Sequence, residues 1–285
     1  MDNLKAKKRH PEEIAVYTAI YVCAAFSVLL LLGIIIYVFA KGARRVNWAF
    51  LTGVTSILHG TVGIAGNILN TLIIILLTMI ITTPIGVGAA IYLNEYAKPG
   101  KLVTVIIFAT ETLAGIPSII FGLFGMLFFG QLCHMGYSLL TGSLTLTLMV
   151  LPLVTRNTQE ALKTVPDSFR TGAVGLGAGK WYTIRTILLP SAMPGIVTGV
   201  ILAIGRIIGE SAALLFTAGS AHLLPKTFDA FLEKIFHSGG TLTIQLYLSA
   251  SKGEFEVAFG IAVVLLVIVL LINFGTKRLA KNCLL

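Results

Sequence analysis

Two arginines stand inside long apolar stretches, and each is followed four positions later by a glutamate: Arg156 with Glu160, and Arg206 with Glu210. A third apolar stretch carries a lone acid, Glu111. Residues four apart share one face of a helix, so the spacing predicts two Arg–Glu pairs, each on its own helix. A charge inside a membrane span is costly and faces a partner or a watery cavity. Guanidinium stays charged when desolvated, and its planar fork of donors matches the oxygens of a tetrahedral anion. A neighbouring glutamate would neutralise the empty site and keep the anion from being held too tightly to leave. The same spacing also suits a closed ion pair that merely makes its span tolerable, with Glu111 pairing to either arginine and Arg156 snorkelling. Small residues gather near these charges: Gly115, Pro117, Ser118, Gly122 and Gly125 in one stretch, Gly205 and Gly209 beside Arg206. Glycine permits close helix approach, and a proline-broken helix exposes backbone groups to a pore. Arg206, Arg156, Glu210, Glu160, Glu111 and Ser118 are therefore the candidate residues of an anion path.

Bond-making chemistry has little support. No HExxH or GxSxG string occurs, and the five histidines are scattered. Cys23, Cys133 and Cys283 share no metal-ligand spacing and read as structural thiols, so no metal site is expected. The glycines at 175, 177 and 179 invite a nucleotide-loop reading, which fails: Gly179-Lys180 is followed by Trp181, and the first glycine of the pattern is Val174. No cofactor is expected in this chain.

The elements that must carry these residues are membrane helices. The chain has 285 residues, 56% hydrophobic and only 12% charged, too apolar for an ordinary soluble domain. Six stretches are long enough to cross a bilayer: about Ile14–Ala40, Ile68–Leu93, Leu102–Phe129, Leu139–Leu162, Ala192–Ala218 and Val257–Phe274. They lack the two-residue alternation of a barrel, so the predicted class is an all-α polytopic membrane protein. The first stretch is too long for the core of a cleaved signal and is expected to remain a span. The net charge of +9 is not a nucleic-acid signature: with the amino terminus inside, thirteen Lys/Arg lie on the cytoplasmic side and six outside. That is the positive-inside pattern with both termini cytoplasmic.

Between the spans, Trp48–Asn70 is mildly hydrophobic and suits the outer interface, and Pro99-Gly100 marks a turn. The outer link Gly219–Glu256 is either a plain loop or a short helical cover over the pore. Lys163–Pro190 is too polar for lipid and too long for a turn. Pro166-Asp167-Ser168 is a helix-start signal; Phe169, Ala173 and Leu176 recur at helical spacing before the glycine break. Trp181, Ile184, Ile187 and Leu188 resume an apolar face that ends at Pro190. The expectation is helix, glycine turn, helix, at the membrane surface.

This segment resembles the "EAA" motif of ABC-transporter permeases, Glu-Ala-Ala, three residues, Gly, nine residues, Ile-x-Leu-Pro. Gly177, Ile187, Leu189 and Pro190 match; the head reads Thr171-Gly172-Ala173, so the Glu and first Ala are replaced. In that family the segment is a coupling helix seated in a groove of the ATPase subunit. Two longer strings, Gly115–Gly125 and Gly205–Gly219, with Ile91–Tyr96, Val165–Ser168 and Gln245–Tyr247, are similar to the PstA-type permeases of phosphate ABC importers. The resemblance implies a type I (MetI-like) importer permease acting by alternating access, as one domain over 1–285 with a core at 66–280 and a coupling loop at 163–190. It implies that Arg156, Arg206 and Glu210 lie on the phosphate path. It further implies a second, PstC-type permease, two ATPase copies that bind ATP and magnesium, an extracytoplasmic phosphate-binding protein, and location in the bacterial inner membrane. Sulfate, molybdate or phosphonate suit the same arginines, and an ion-driven carrier using the acids as proton relays is a further alternative.

Overall fold

The computed structural model describes residues 11–56, 61–98, 100–225 and 227–282. Lys5, Lys7, Lys8, Arg9, Pro99, Lys226 and Cys283 lie outside the described residues. The chain is helical almost throughout. Helix α1 (Pro11–Gly42) is followed by α2 (Trp48–Thr52), and a two-stranded antiparallel hairpin, β1 (Val54–Ser56) and β2 (Thr61–Ile64), leads into α3 (Ala65–Ile91). Then come α4 (Lys101–Gly115), α5 (Ser118–Gly125), α6 (Leu139–Lys163), α7 (Asp167–Gly175), α8 (Lys180–Thr183) and α9 (Leu189–Gly209). Helices α10 (Ala212–Thr217), α11 (Phe228–Glu233), α12 (Leu242–Ser251) and α13 (Phe255–Asn282) complete the chain.

Among the described residues, five helical segments are long and apolar enough to cross a membrane, and the α4–α5 pair makes a sixth if counted as one span. The core lies where α3, α6, α9 and α10 meet, around Ile74, Leu146, Val150, Ile207 and Leu214. Helix α6 is the least apolar span and the most buried. Its hydroxyl residues explain how: Ser143, Thr145 and Thr147 each donate to the carbonyl four residues back, at 2.8 Å. Each polar side chain is thus satisfied within its own helix, so it can be buried without water. Helix α9 approaches α6 closely at Gly195 and Gly199; a Cβ there would lie 2.5 Å from Ala161 Cβ and 2.6 Å from Asn157 Cβ. This is small-residue packing at four-residue spacing. Helix α1 stays on the outside, meeting α13 through an edge-on Tyr37–Phe259 contact.

Three expectations need correction. The stretch Leu102–Phe129 is not one straight span: it bends by 103° between α4 and α5. Pro117, with ψ of 139°, is extended and has no N–H to continue the ladder, so α5 restarts at Ser118. The stretch Ala192–Ala218 likewise breaks, because α9 ends at Gly209 and Glu210 is extended. Conversely, Pro190 does not end a helix. Lys180–Gly209 runs as one 30-residue helical segment through it, with a π-helical turn at Ile184–Leu188 just ahead of the proline. The link 219–256 is not a plain loop: it contains α11 and α12, and Asn67 and Asn70 of α3 donate to the Gly240 carbonyl at 2.9 and 3.0 Å.

Candidate functional site

An open cavity of about 290 Å³ runs between α4 and α6 and reaches α9. Its lining along α6 extends from Met149 to Lys163, about 21 Å of helix. Arg156 and Arg206 both line it, with Glu111 and Glu160. The two arginines therefore share one space although they stand on antiparallel helices.

The charge pairing is not the one that four-residue spacing predicts. Arg156 Nη1 lies 3.9 Å from Glu111 Oε1 of α4, while Glu160 pairs at 3.0 Å with Lys163. Glu160 finds a mobile ammonium one turn on, at the exposed end of α6, which leaves Arg156 to reach across the cavity. Arg206 has no hydrogen bond or ion pair among the described residues, because its expected partner is elsewhere. Glu210 lies past the last residue of α9, where the backbone is extended and its side chain leaves the helical face. Its Oε1 accepts from the Ala213 amide at 3.1 Å, and its carbonyl accepts from Thr243 Oγ1 at 2.9 Å. A carboxylate at a helix start satisfies a free amide and meets the positive end of the helix dipole. Glu210 is thus a cap of α10, not a lining residue. Ser118 opens α5 beyond the bend, half-buried, and is not in the lining either.

Thr110, Gln159 and Lys163 also line the cavity. Sequence reasoning missed them; for Gln159 and Lys163 the available signal was the polar run Asn157–Glu160 near the end of an apolar helix, and for Thr110 there was none. The lining carries Arg156, Arg206 and Lys163 against Glu111 and Glu160, an excess of one positive charge. Such a cavity, walled mostly by apolar surface but open and carrying five charged side chains, can hold an anion without stripping every charge of its partner.

At the Lys163 end of α6 sits the α7–α8 hairpin. Gly177 supplies the turn with φ of +81°, a left-handed conformation that favours glycine. Ala173 faces inward, while Thr171 and Gly172 are exposed. Phe169, Val174, Leu176, Trp181 and Tyr182 form an uncovered apolar surface, Leu176 being 91% exposed. Ile187 and Leu189 are partly buried, and Pro190 is exposed, along the lead-in to α9. A cluster of bare apolar side chains at the polar end of a bundle is the kind of surface that meets a protein partner or a membrane.

A bundle of membrane-length helices ending in such a hairpin is the architecture of ABC importer permeases. The chain aligns over 95% of its length with a subunit of a bacterial alginate ABC transporter crystallised with its pentasaccharide-bound periplasmic protein, at TM-score 0.68 and 16% identity, covering 96% of that chain. It aligns over 78% with a subunit of the inward-facing MetNI methionine ABC transporter, at TM-score 0.58 and 21% identity, covering 94% of that chain. These likenesses show the fold.

Residues 82–283 match the family described as binding-protein-dependent transport system inner membrane component, and the chain belongs to that family. A probable ABC transporter permease protein, YqgI of Bacillus subtilis (strain 168), is 36% identical over 267 residues, 90% of this chain and 91% of that one. The phosphate transport system permease protein PstA of Xylella fastidiosa (strain Temecula1 / ATCC 700964) is 34% identical over 244 residues, 84% and 82% of the two chains.

Proposed function

We propose that this chain is a permease subunit of an ATP-driven importer that carries inorganic phosphate across the bacterial inner membrane. The observation that carries this reading is Arg206: a guanidinium without a partner among the described residues, inside an open cavity that also holds Arg156. Similarity to PstA proteins over most of the chain supports phosphate as the cargo. The second cavity acid, Glu160, points the same way. A carboxylate can only accept a hydrogen bond, and hydrogen phosphate keeps a proton to donate near neutral pH, whereas sulfate has none.

The chain works as one unit, with 66–280 as the transport core and 163–190 as the coupling segment. Both termini face the cytoplasm, and α7, α8 and their apolar surface engage an ATPase subunit. ATP and magnesium bind there, not here. A second, PstC-type permease completes the passage, and an extracytoplasmic binding protein delivers the anion. Transport needs no covalent step. Arg206 holds the anion, Arg156 exchanges Glu111 for it, and reorientation of the helices releases it beside Lys163. The direct test is reconstitution of the whole complex in liposomes with labelled phosphate. ATP-dependent uptake supports the reading; uptake of labelled sulfate or molybdate in its place overturns it.

A further inference from the structure

The α7–α8 hairpin is fastened to the end of α3 by both of its arms. Helix α3 continues past Ile91 into a π-helical turn, Tyr92–Tyr96. From the first arm, Arg170 of α7 donates through Nε to both Glu95 oxygens, at 3.3 and 3.4 Å, and through Nη2 to Oε1 at 3.0 Å. From the second arm, Lys180 of α8 places its ammonium 4.7 Å from the ring centre of the next residue, Tyr96. Asn94 donates to the same Glu95 Oε1 at 2.7 Å and helps fix the carboxylate.

The same guanidinium also holds α6. Its Nη1 donates to the Val165 carbonyl and its Nη2 to the Leu162 carbonyl, each at 3.0 Å, while Nη1 bonds Asp167 Oδ1 at 3.0 Å. One side chain thus joins α7, the end of α3 and the end of α6. The Glu95 side chain is 8% exposed and that of Arg170 23%, so the pair is shielded from the solvent screening that weakens surface bridges. Hydrogen bonding to Glu95 is the largest influence raising the Arg170 pKa above its ordinary value, against an opposing desolvation. Leu162 lies six residues beyond Arg156 on α6, about 9 Å along the helix. A planar fork can hold this many acceptors in fixed directions; an ammonium cannot.

We propose that Glu95 is a positioning residue for transport: through Arg170 it hands movement of the α7–α8 hairpin to the π-helical end of α3, whose Leu93 reaches the cavity, and to α6, which lines it from Met149 to Lys163. This rests on the proposed coupling role of the hairpin. A shift of α7 pulls the α3 end and the α6 end together, so that side of the cavity moves as one body against α4.

The test uses the whole complex in liposomes, measuring ATP hydrolysed and phosphate taken up in the same sample. Wild type must show ATP-dependent phosphate uptake; its absence would sink the underlying reading and not the clamp. Glu95→Gln is expected to assemble and hydrolyse ATP, while phosphate moved per ATP falls roughly tenfold, in the range of ordinary coupling energies. Glu95→Asp, which keeps the charge, is expected to recover most of the ratio. An unchanged ratio in Glu95→Gln overturns the proposal. So does failure of Glu95→Gln and Glu95→Asp alike to assemble, which would make the pair a folding contact only.

Discussion

Arg156 reaches sideways to Glu111 on α4, Nη1 to Oε1 at 3.9 Å, and not down its own helix to Glu160. The two side chains are 66% and 56% exposed, and the separation is longer than a hydrogen bond. A pair of this kind contributes little and opens at little cost. Among the described residues the site therefore has one guanidinium without a partner, Arg206, and one lightly engaged, which suits an anion that must bind and then leave.

Removing the competing carboxylate should strengthen retention. Glu111→Gln is expected to bind phosphate roughly two- to five-fold more tightly, the worth of an exposed ion pair. Equilibrium binding of labelled phosphate to the purified complex without its binding protein measures this. Unchanged binding would mean that Glu111 does not compete with the anion.

The position of Glu210 makes a separate demand. Glu210→Ala is expected to cost about 1 kcal/mol through loss of the cap on α10, seen as a lower melting temperature of the complex. Glu210→Gln, whose amide oxygen can still accept from Ala213, should keep both stability and uptake. Loss of uptake in Glu210→Gln with melting unchanged would return this residue to the anion path.

The α5 side of the bend is close-packed and its apex is not. A Cβ on Gly125 would run into Thr145 Oγ1, and one on Gly122 would lie 2.8 Å from Ala213 Cα, whereas Gly115 has open space around it. Gly125→Ala should destabilise by about 1–3 kcal/mol through overpacking, with Gly115→Ala close to neutral. Thermal melting of the two variants decides; equal melting temperatures would contradict the α5–α6 packing.

The bare apolar surface of α7 and α8 predicts where the ATPase subunit is lost. Leu176→Asp is expected to weaken its association by roughly tenfold or more, as at a central apolar contact, while the permease keeps its melting temperature. Copurification of the ATPase with the variant permease reads the outcome. Full recovery of the ATPase would remove Leu176 from the docking surface.

Much of this was legible in the chain. The spans follow from apolar length, and Ile68–Leu93 and Leu139–Leu162 fall within a few residues of α3 and α6. The hairpin at 167–188 follows from its helix start and glycines. The arginines stand out because charge is rare in apolar sequence. What local spacing could not carry is direction. Pro117 announces a break but not a 103° turn, and Glu210 leaves its helix because a new one begins after it. Pro190 reads as a terminator, yet the helix runs on through it after a π-helical turn. Glu95 and Arg170 are 75 positions apart, and no pattern in either segment announces the other.

The central claim is that the Arg206 guanidinium holds the cargo. Uptake of labelled phosphate by the reconstituted complex, with Arg206→Gln beside wild type, tests it most directly. The account predicts that Arg206→Gln assembles with its partner subunits and hydrolyses ATP while phosphate uptake is abolished. Uptake at the wild-type rate in that variant would contradict it.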